Sequence, residues 1–88
     1  MLGVFNIIKF IIVDNNKEDL KYLKNLVDKI VKVDKKIITY NKINDNLKLE
    51  IKNLEVRKIY ILDIDLGYEQ SGIKLANMIR DIDYESEI

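Results

Sequence analysis

Three oxygen-bearing residues follow apolar runs in this 88-residue chain: Asp14 and Asn15 after residues 9–13, and Asp63 after residues 59–62. Carboxylates and amide oxygens at such positions suit a hard divalent cation. Mg²⁺ in particular takes oxygen ligands in octahedral geometry and keeps several of its waters. A carboxylate held beside such a cation can also act as a nucleophile toward phosphorus, while the cation neutralises charge on the transferred group. Asp and Asn after a strand also have a plainer use, since both hydrogen-bond local backbone in turns. Asp63 stands apart from that use, because Ile64 and Leu66 continue the apolar run beyond it. A carboxylate within an apolar run costs desolvation unless something compensates it.

These residues need elements to position them, and the chain alternates two kinds of pattern. Residues 9–13 form a continuous β-branched run ended by Asp14, Asn15 and Asn16, which reads as a strand buried on both faces. Residues 1–8 either extend this strand or lead into it. A helix is expected next, with Leu20, Leu23, Leu26, Val27, Ile30 and Val31 inward, Asn16 as N-cap and Asp19 in the first turn. Residues 37–40 read as a second strand. A weaker helix starts around Asn44, Asp45 and Asn46, with Leu47, Ile51 and Leu54 inward. Residues 59–62 form a third strand, and residues 67–72 a loop that places Tyr68 near Asp63. Ser71 then caps a final helix whose inner face draws on Ile73, Leu75, Ala76, Ile79 and Ile82. Strands separated by helical patterns indicate β-α-β units and a parallel sheet with helices on both faces. In such sheets functional groups gather at the carboxyl ends of the strands. Neighbouring strands lie about 4.8 Å apart, so Asp14 and Asp63 converge if the first and third strands are adjacent.

Composition removes several alternatives. There are 15 basic and 15 acidic residues, so no net charge draws the chain to nucleic acid or anionic membranes. With no Cys and no His, disulfides, thiolate metal sites and histidine catalysis are excluded. Lys9 interrupts the apolar start, which has no basic leader and is too short to span a membrane, so a cytoplasmic protein is expected. Lys21, Lys24 and Lys29 read as a solvated helix face, and Tyr22, Tyr40 and Tyr60 as packing residues. Arg80 is expected to pair with Asp81 or Asp83, or to stay solvated.

Three segments together resemble the receiver domain of response regulators. Val13-Asp14-Asn15 is similar to the family's acidic pair, and residues 59–66 (IYILDIDL) to its phosphoacceptor strand and turn. Ser71-Gly72-Ile73-Lys74-Leu75-Ala76 with Ile79-Arg80 resembles the helix that follows. The likeness is strongest to regulators of the LytTR class, including the accessory-gene quorum-sensing type. It implies an α/β, flavodoxin-like (CheY-like) doubly wound fold with strand order 2-1-3, of which residues 9–88 would be the N-terminal portion. It further implies a non-enzymatic signalling module in which Asp63 accepts phosphate from a sensor histidine kinase. Mg²⁺ would be held by Asp14, Asn15, Asp63 and the backbone carbonyl of Asp65. Output to transcription, and any DNA contact, would belong to a domain outside this chain.

Two departures accompany the resemblance. Asn15 stands where the family carries a second acid, which weakens cation binding. The segments that carry the family's switch Ser or Thr and its phosphate-pairing Lys lie beyond three β-α units, so the chain is expected to be a truncated form or fragment of a longer domain, or a degenerate gene product. A third strand left as an open edge would then favour a homodimer or strand exchange. The second acid's absence keeps a rival in play, a pseudo-receiver that binds partners without phosphorylation. A more distant rival is a phosphatase of the haloacid-dehalogenase type, whose Asp-x-Asp motif Asp63 and Asp65 resemble.

Overall fold

The computed structural model describes residues 7–66 and 71–88. Residues 1–6, and the expected loop with Tyr68 apart from its last two residues, lie outside the described residues. Six elements alternate in order: β1 (Ile8–Val13), α1 (Lys17–Ile30), β2 (Lys35–Tyr40), α2 (Asp45–Lys52), β3 (Lys58–Leu62) and α3 (Gly72–Ile82). The strands form one parallel sheet in the order β2-β1-β3, the order expected above.

The central strand β1 divides the core by alternation, since successive side chains point to opposite faces. Ile11 and Val13 face α2 and α3, where they pack with Leu47, Ile51, Tyr60, Leu66, Leu75 and Ile79. Phe10 and Ile12 face α1 and pack with Leu20 and Val27, flanked by Ile37, Ile59 and Ile61. Helices therefore cover both faces, two on one side and one on the other. Among the described residues no helix is long and apolar enough to cross a membrane.

Several expected positions differ. β2 starts at Lys35 and β3 at Lys58, each before its first apolar residue. Both lysines serve as caps: Lys35 Nζ donates to the carbonyl of Val31 at 2.7 Å, just past the end of α1. The apolar face of α1 is narrower than its sequence suggests. Leu20 and Val27 are buried, but Ile30 is 63% exposed and Leu26 is also exposed, because a single helix on that face turns one flank to solvent. Tyr22 lies outside the packing as well, at 65% exposed, whereas Tyr40 and Tyr60 do pack. Leu54 falls beyond the end of α2 and is exposed. In α3, Leu75 and Ile79 turn inward with Gly72, and Ile73 turns out at 60% exposed. Residue 73 sits about 200° around the helix from residue 75, so both cannot face the sheet.

Lys58 is the residue whose place the sequence hid. It is fully buried, and its ammonium donates to the carbonyls of Glu50 at 2.7 Å, Ile51 at 3.2 Å and Asn53. It also pairs with Asp83 Oδ2 at 3.0 Å. The Tyr60 hydroxyl donates to the same oxygen at 2.9 Å. One buried cation thus satisfies the open carbonyls at the end of α2 and ties them to the C-cap of α3. Burial pushes the Asp83 carboxyl up, but the Ser86 hydroxyl, Lys58 and Tyr60 outweigh it, and its pKa is lowered overall. Burial and the Asp83 hydrogen bond push the Tyr60 hydroxyl well above its ordinary value.

The segment after α3 turns back along β3. Arg80 donates to the carbonyls of Tyr84 at 3.1 Å and Ser86 at 2.6 Å, instead of pairing with Asp81 or Asp83. Glu87 then bridges Ile59 in parallel, and the N–H of Tyr60 donates to its carbonyl at 2.9 Å. The outer edge of β3 is consequently covered at its N-terminal end.

Removing one member of a buried ion pair leaves the other uncompensated, at a cost of about 3–5 kcal/mol. Lys58→Met should therefore destabilise the protein by that amount in denaturant titration. Because the depressed pKa of Asp83 stabilises the fold only while it is ionised, native stability should fall as pH drops through the carboxylate range. That part of the acid dependence should be missing in Asp83→Asn.

Candidate functional site

Strand register builds the rim. Val13, the last residue of β1, pairs with Tyr40 on one side and Leu62 on the other. The ladder runs one step further: Asp14 N–H donates to Tyr40 O at 3.0 Å and Asp63 N–H to Val13 O at 2.9 Å. Asp14 and Asp63 are therefore fixed at equivalent levels on adjacent strands, at the carboxyl end of the sheet. Their carboxyl groups are close enough that Asp63 raises the pKa of Asp14.

Asp14 is only 7% exposed. Its Oδ1 accepts from the N–H of Asn16 at 2.9 Å, and Asn16 Oδ1 in turn accepts from Glu18 and Asp19 at 2.9 and 3.1 Å to cap α1. The turn that opens the helix thus orients the acid. Burial raises the pKa of Asp14 foremost. The Asn16 N–H opposes this, and the like charges of Asp63 and Asp19 raise it further.

Asp63 is half-buried, and the strand ends just before it. Ile64 does not prolong an apolar face, being 70% exposed, while Leu66 joins the core. Asp65 is exposed and forms an antiparallel bridge with Ser71. Asn15 is also exposed. The structure brings two of the expected side chains together, Asp14 and Asp63. Among the described residues no three acidic side chains gather as a cation cluster.

Gly72 completes the site and went unassigned in the sequence beyond its place in a motif. Its N–H donates to Ile64 O at 2.8 Å, and a Cβ at this position would overlap the carbonyl oxygen of Asp63. The first turn of α3 can sit against the backbone of Asp63 only because residue 72 lacks a side chain. Ser71, the N-cap, accepts from Ile73 N–H at 3.1 Å. No pattern in the neighbouring residues marks this close approach, which depends on where the turn after β3 brings α3.

Two carboxyls on a shared rim can do three things: share a proton, hold a hard cation, or present one oxygen as a nucleophile. Compared with known proteins, the chain matches no family profile, no curated protein and no solved structure.

Two tests follow from this geometry. Gly72→Ala forces backbone to move and should cost at least about 2 kcal/mol, read by thermal melting. Asp63→Asn removes the charge facing Asp14 and should raise stability at neutral pH by about 0.5–2 kcal/mol. A carboxyl with a raised folded pKa favours the fold below its unfolded pKa and loses that contribution as pH rises through the folded value. The gain from Asp63→Asn should therefore vanish at acid pH, and an equal gain at both pH values would contradict the repulsion described here.

Proposed function

We propose that this chain is the phosphoacceptor portion of a flavodoxin-like receiver module, with Asp63 as the acceptor. The observation that carries this reading is the convergence of Asp14 and Asp63 at the carboxyl ends of adjacent parallel strands. An α/β sheet of order β2-β1-β3 with helices on both faces is compatible with it.

The donor set suits Mg²⁺. Asp14 and Asp63 would supply charged oxygens, and the Asp65 carbonyl and the Asn15 amide neutral ones, for an ion that retains several waters. The cation would neutralise charge on the phosphoryl oxygens. The remaining work falls to the chain. The Asp63 backbone is held by its N–H bond to Val13 and by the packing of Gly72, and its half-buried carboxyl would present one oxygen to the phosphorus. Attack forms an acyl phosphate at Asp63. The phosphorus–nitrogen bond of a phosphohistidine donor breaks, and the imidazole leaves with the bonding pair and a proton from solvent. Asp14 would help hold the cation at the rim, where its charge would relieve the repulsion between the two adjacent carboxylates. A cytoplasmic histidine kinase is the donor this reading implies, and a separate output domain its target.

A second reading has its own support. Asn15 is exposed and neutral, and no third acidic side chain joins the rim among the described residues. Weak cation binding would favour a pseudo-receiver that recognises a partner without phosphorylation.

Incubation with acetyl phosphate and Mg²⁺ separates the two. The first reading expects the intact mass to increase by one phosphoryl group, with no increase in Asp63→Asn and a much slower one in Asp14→Asn. No mass change, together with no spectral response to beryllium fluoride and Mg²⁺, would leave the pseudo-receiver. Repeated turnover of p-nitrophenyl phosphate would instead identify a phosphatase.

A further inference from the structure

β1 lies on one side of β2, and among the described residues no strand pairs with the other side. In a parallel ladder each residue turns both main-chain groups to the same side, and successive residues alternate. Tyr40 O accepts from Asp14 N–H at 3.0 Å and Asp34 O from Ile8 N–H at 3.3 Å, so the even-numbered residues of β2 face β1. The N–H and C=O of Lys35, Ile37 and Thr39 therefore point outward.

The two faces of this edge differ in chemistry. Ile37 and Thr39 stand on the α1 side of the sheet, Ile38 and Tyr40 on the α2 side. On the α1 side, Lys17, Lys21 and Lys24 border a cleft of about 390 Å³ with Thr39 and Asn41. Lys24, Lys32, Lys35 and Lys36 border a second cleft, of about 590 Å³. Among the described residues the acids lining these two clefts are Asp28 and Asp34, two against six lysines, and Asp28 is engaged with Lys35 at 3.6 Å. Lys17, Lys21, Lys24, Lys32 and Lys36 are exposed.

On the α2 side the charge is already paired. Ile38, Tyr40 and Leu49 border a cleft of about 520 Å³, in which Lys9 holds Glu50 at 2.9 Å. Leu49 is 65% exposed. Successive side chains of a strand point to opposite faces. A strand laid against β2 would thus meet lysines with every second side chain and apolar groups with those between.

We propose that the outer edge of β2 takes an extended segment of a partner protein in which acidic and apolar side chains alternate. The partner's main chain would bond with Lys35, Ile37 and Thr39, as in other cases of strand addition. Its carboxylates would lie along the α1 lysines, and its apolar side chains against Ile38, Tyr40 and Leu49. Lysine commonly guards a sheet edge. Here the lysines repel a second copy of the same edge and favour an acidic strand. The interface does not depend on Asp63 accepting phosphate.

A fluorescently labelled synthetic peptide of alternating Glu and Val tests this by anisotropy with the intact chain. It should bind saturably, and a Lys-Val peptide of the same length should not. Raising salt from about 50 to about 500 mM should weaken binding about tenfold, because exposed charges are then screened over a few ångströms. In the complex the amides of Ile37 and Thr39 should exchange more slowly with solvent, while that of Ile38, already turned to β1, should not change. Lys21→Glu with Lys24→Glu reverses two exposed charges and should abolish binding with unchanged circular dichroism. Thr39→Pro removes an outward N–H, leaves the ladder to β1 in place and should weaken binding about fivefold or more. No binding of the Glu-Val peptide, equal binding of both peptides, unchanged amide exchange, or tighter binding of a single-stranded oligonucleotide would each overturn the proposal.

Discussion

The placement of β1 between β2 and β3 is the constraint from which the rest of the structure follows. Its parallel register sets Val13 level with both Tyr40 and Leu62, and main-chain bonds carry the alignment one residue further to Asp14 and Asp63. No side-chain attraction draws these two acids together. Like charges repel, so the backbone ladder holds them in place against their own electrostatics. A slip of one residue in either strand pair would turn the core side chains to the wrong face and separate the carboxyls at once.

The two ends of the sheet handle charge in opposite ways. At the carboxyl end, an acid is buried beside another acid and its pKa rises. At the amino end, Lys58 is buried among three carbonyls and the Asp83 carboxylate, and every buried polar side-chain atom among the described residues finds a partner. Charge is thus paired with its opposite at one end of the sheet and set against its like at the other. Strain of this kind persists only where the surroundings over-determine it. The Asx turn at Asp14, the cap at Asn16 and the contact of Gly72 with Asp63 supply that determination here.

Much of this was legible in the residues. Alternating apolar runs gave three strands and three helices in order, and Asn16, Asn44 and Ser71 cap their helices as short polar residues do. The boundaries of β2 and β3 were less legible, because both begin with lysine, a residue that ordinarily marks solvent. Ile73, Ile30 and Tyr22 read as packing residues from hydropathy alone, yet which flank of a helix is covered depends on how many helices share that face of the sheet. Asp63 was found for a partly mistaken reason: Ile64 beyond it is exposed, and the acid sits at the strand's end, not within an apolar run.

By itself, the sequence determined the fold class, the order of elements and the two acids that end β1 and β3, because periodicity and turn chemistry are local properties written in residue order. Only the tertiary structure decided that those acids share one rim, that Gly72 must be bare for α3 to reach the backbone of Asp63, and that Lys58 is an interior residue. Each of these depends on which distant segments become neighbours, and a lysine or a glycine carries no local mark of what will be packed against it.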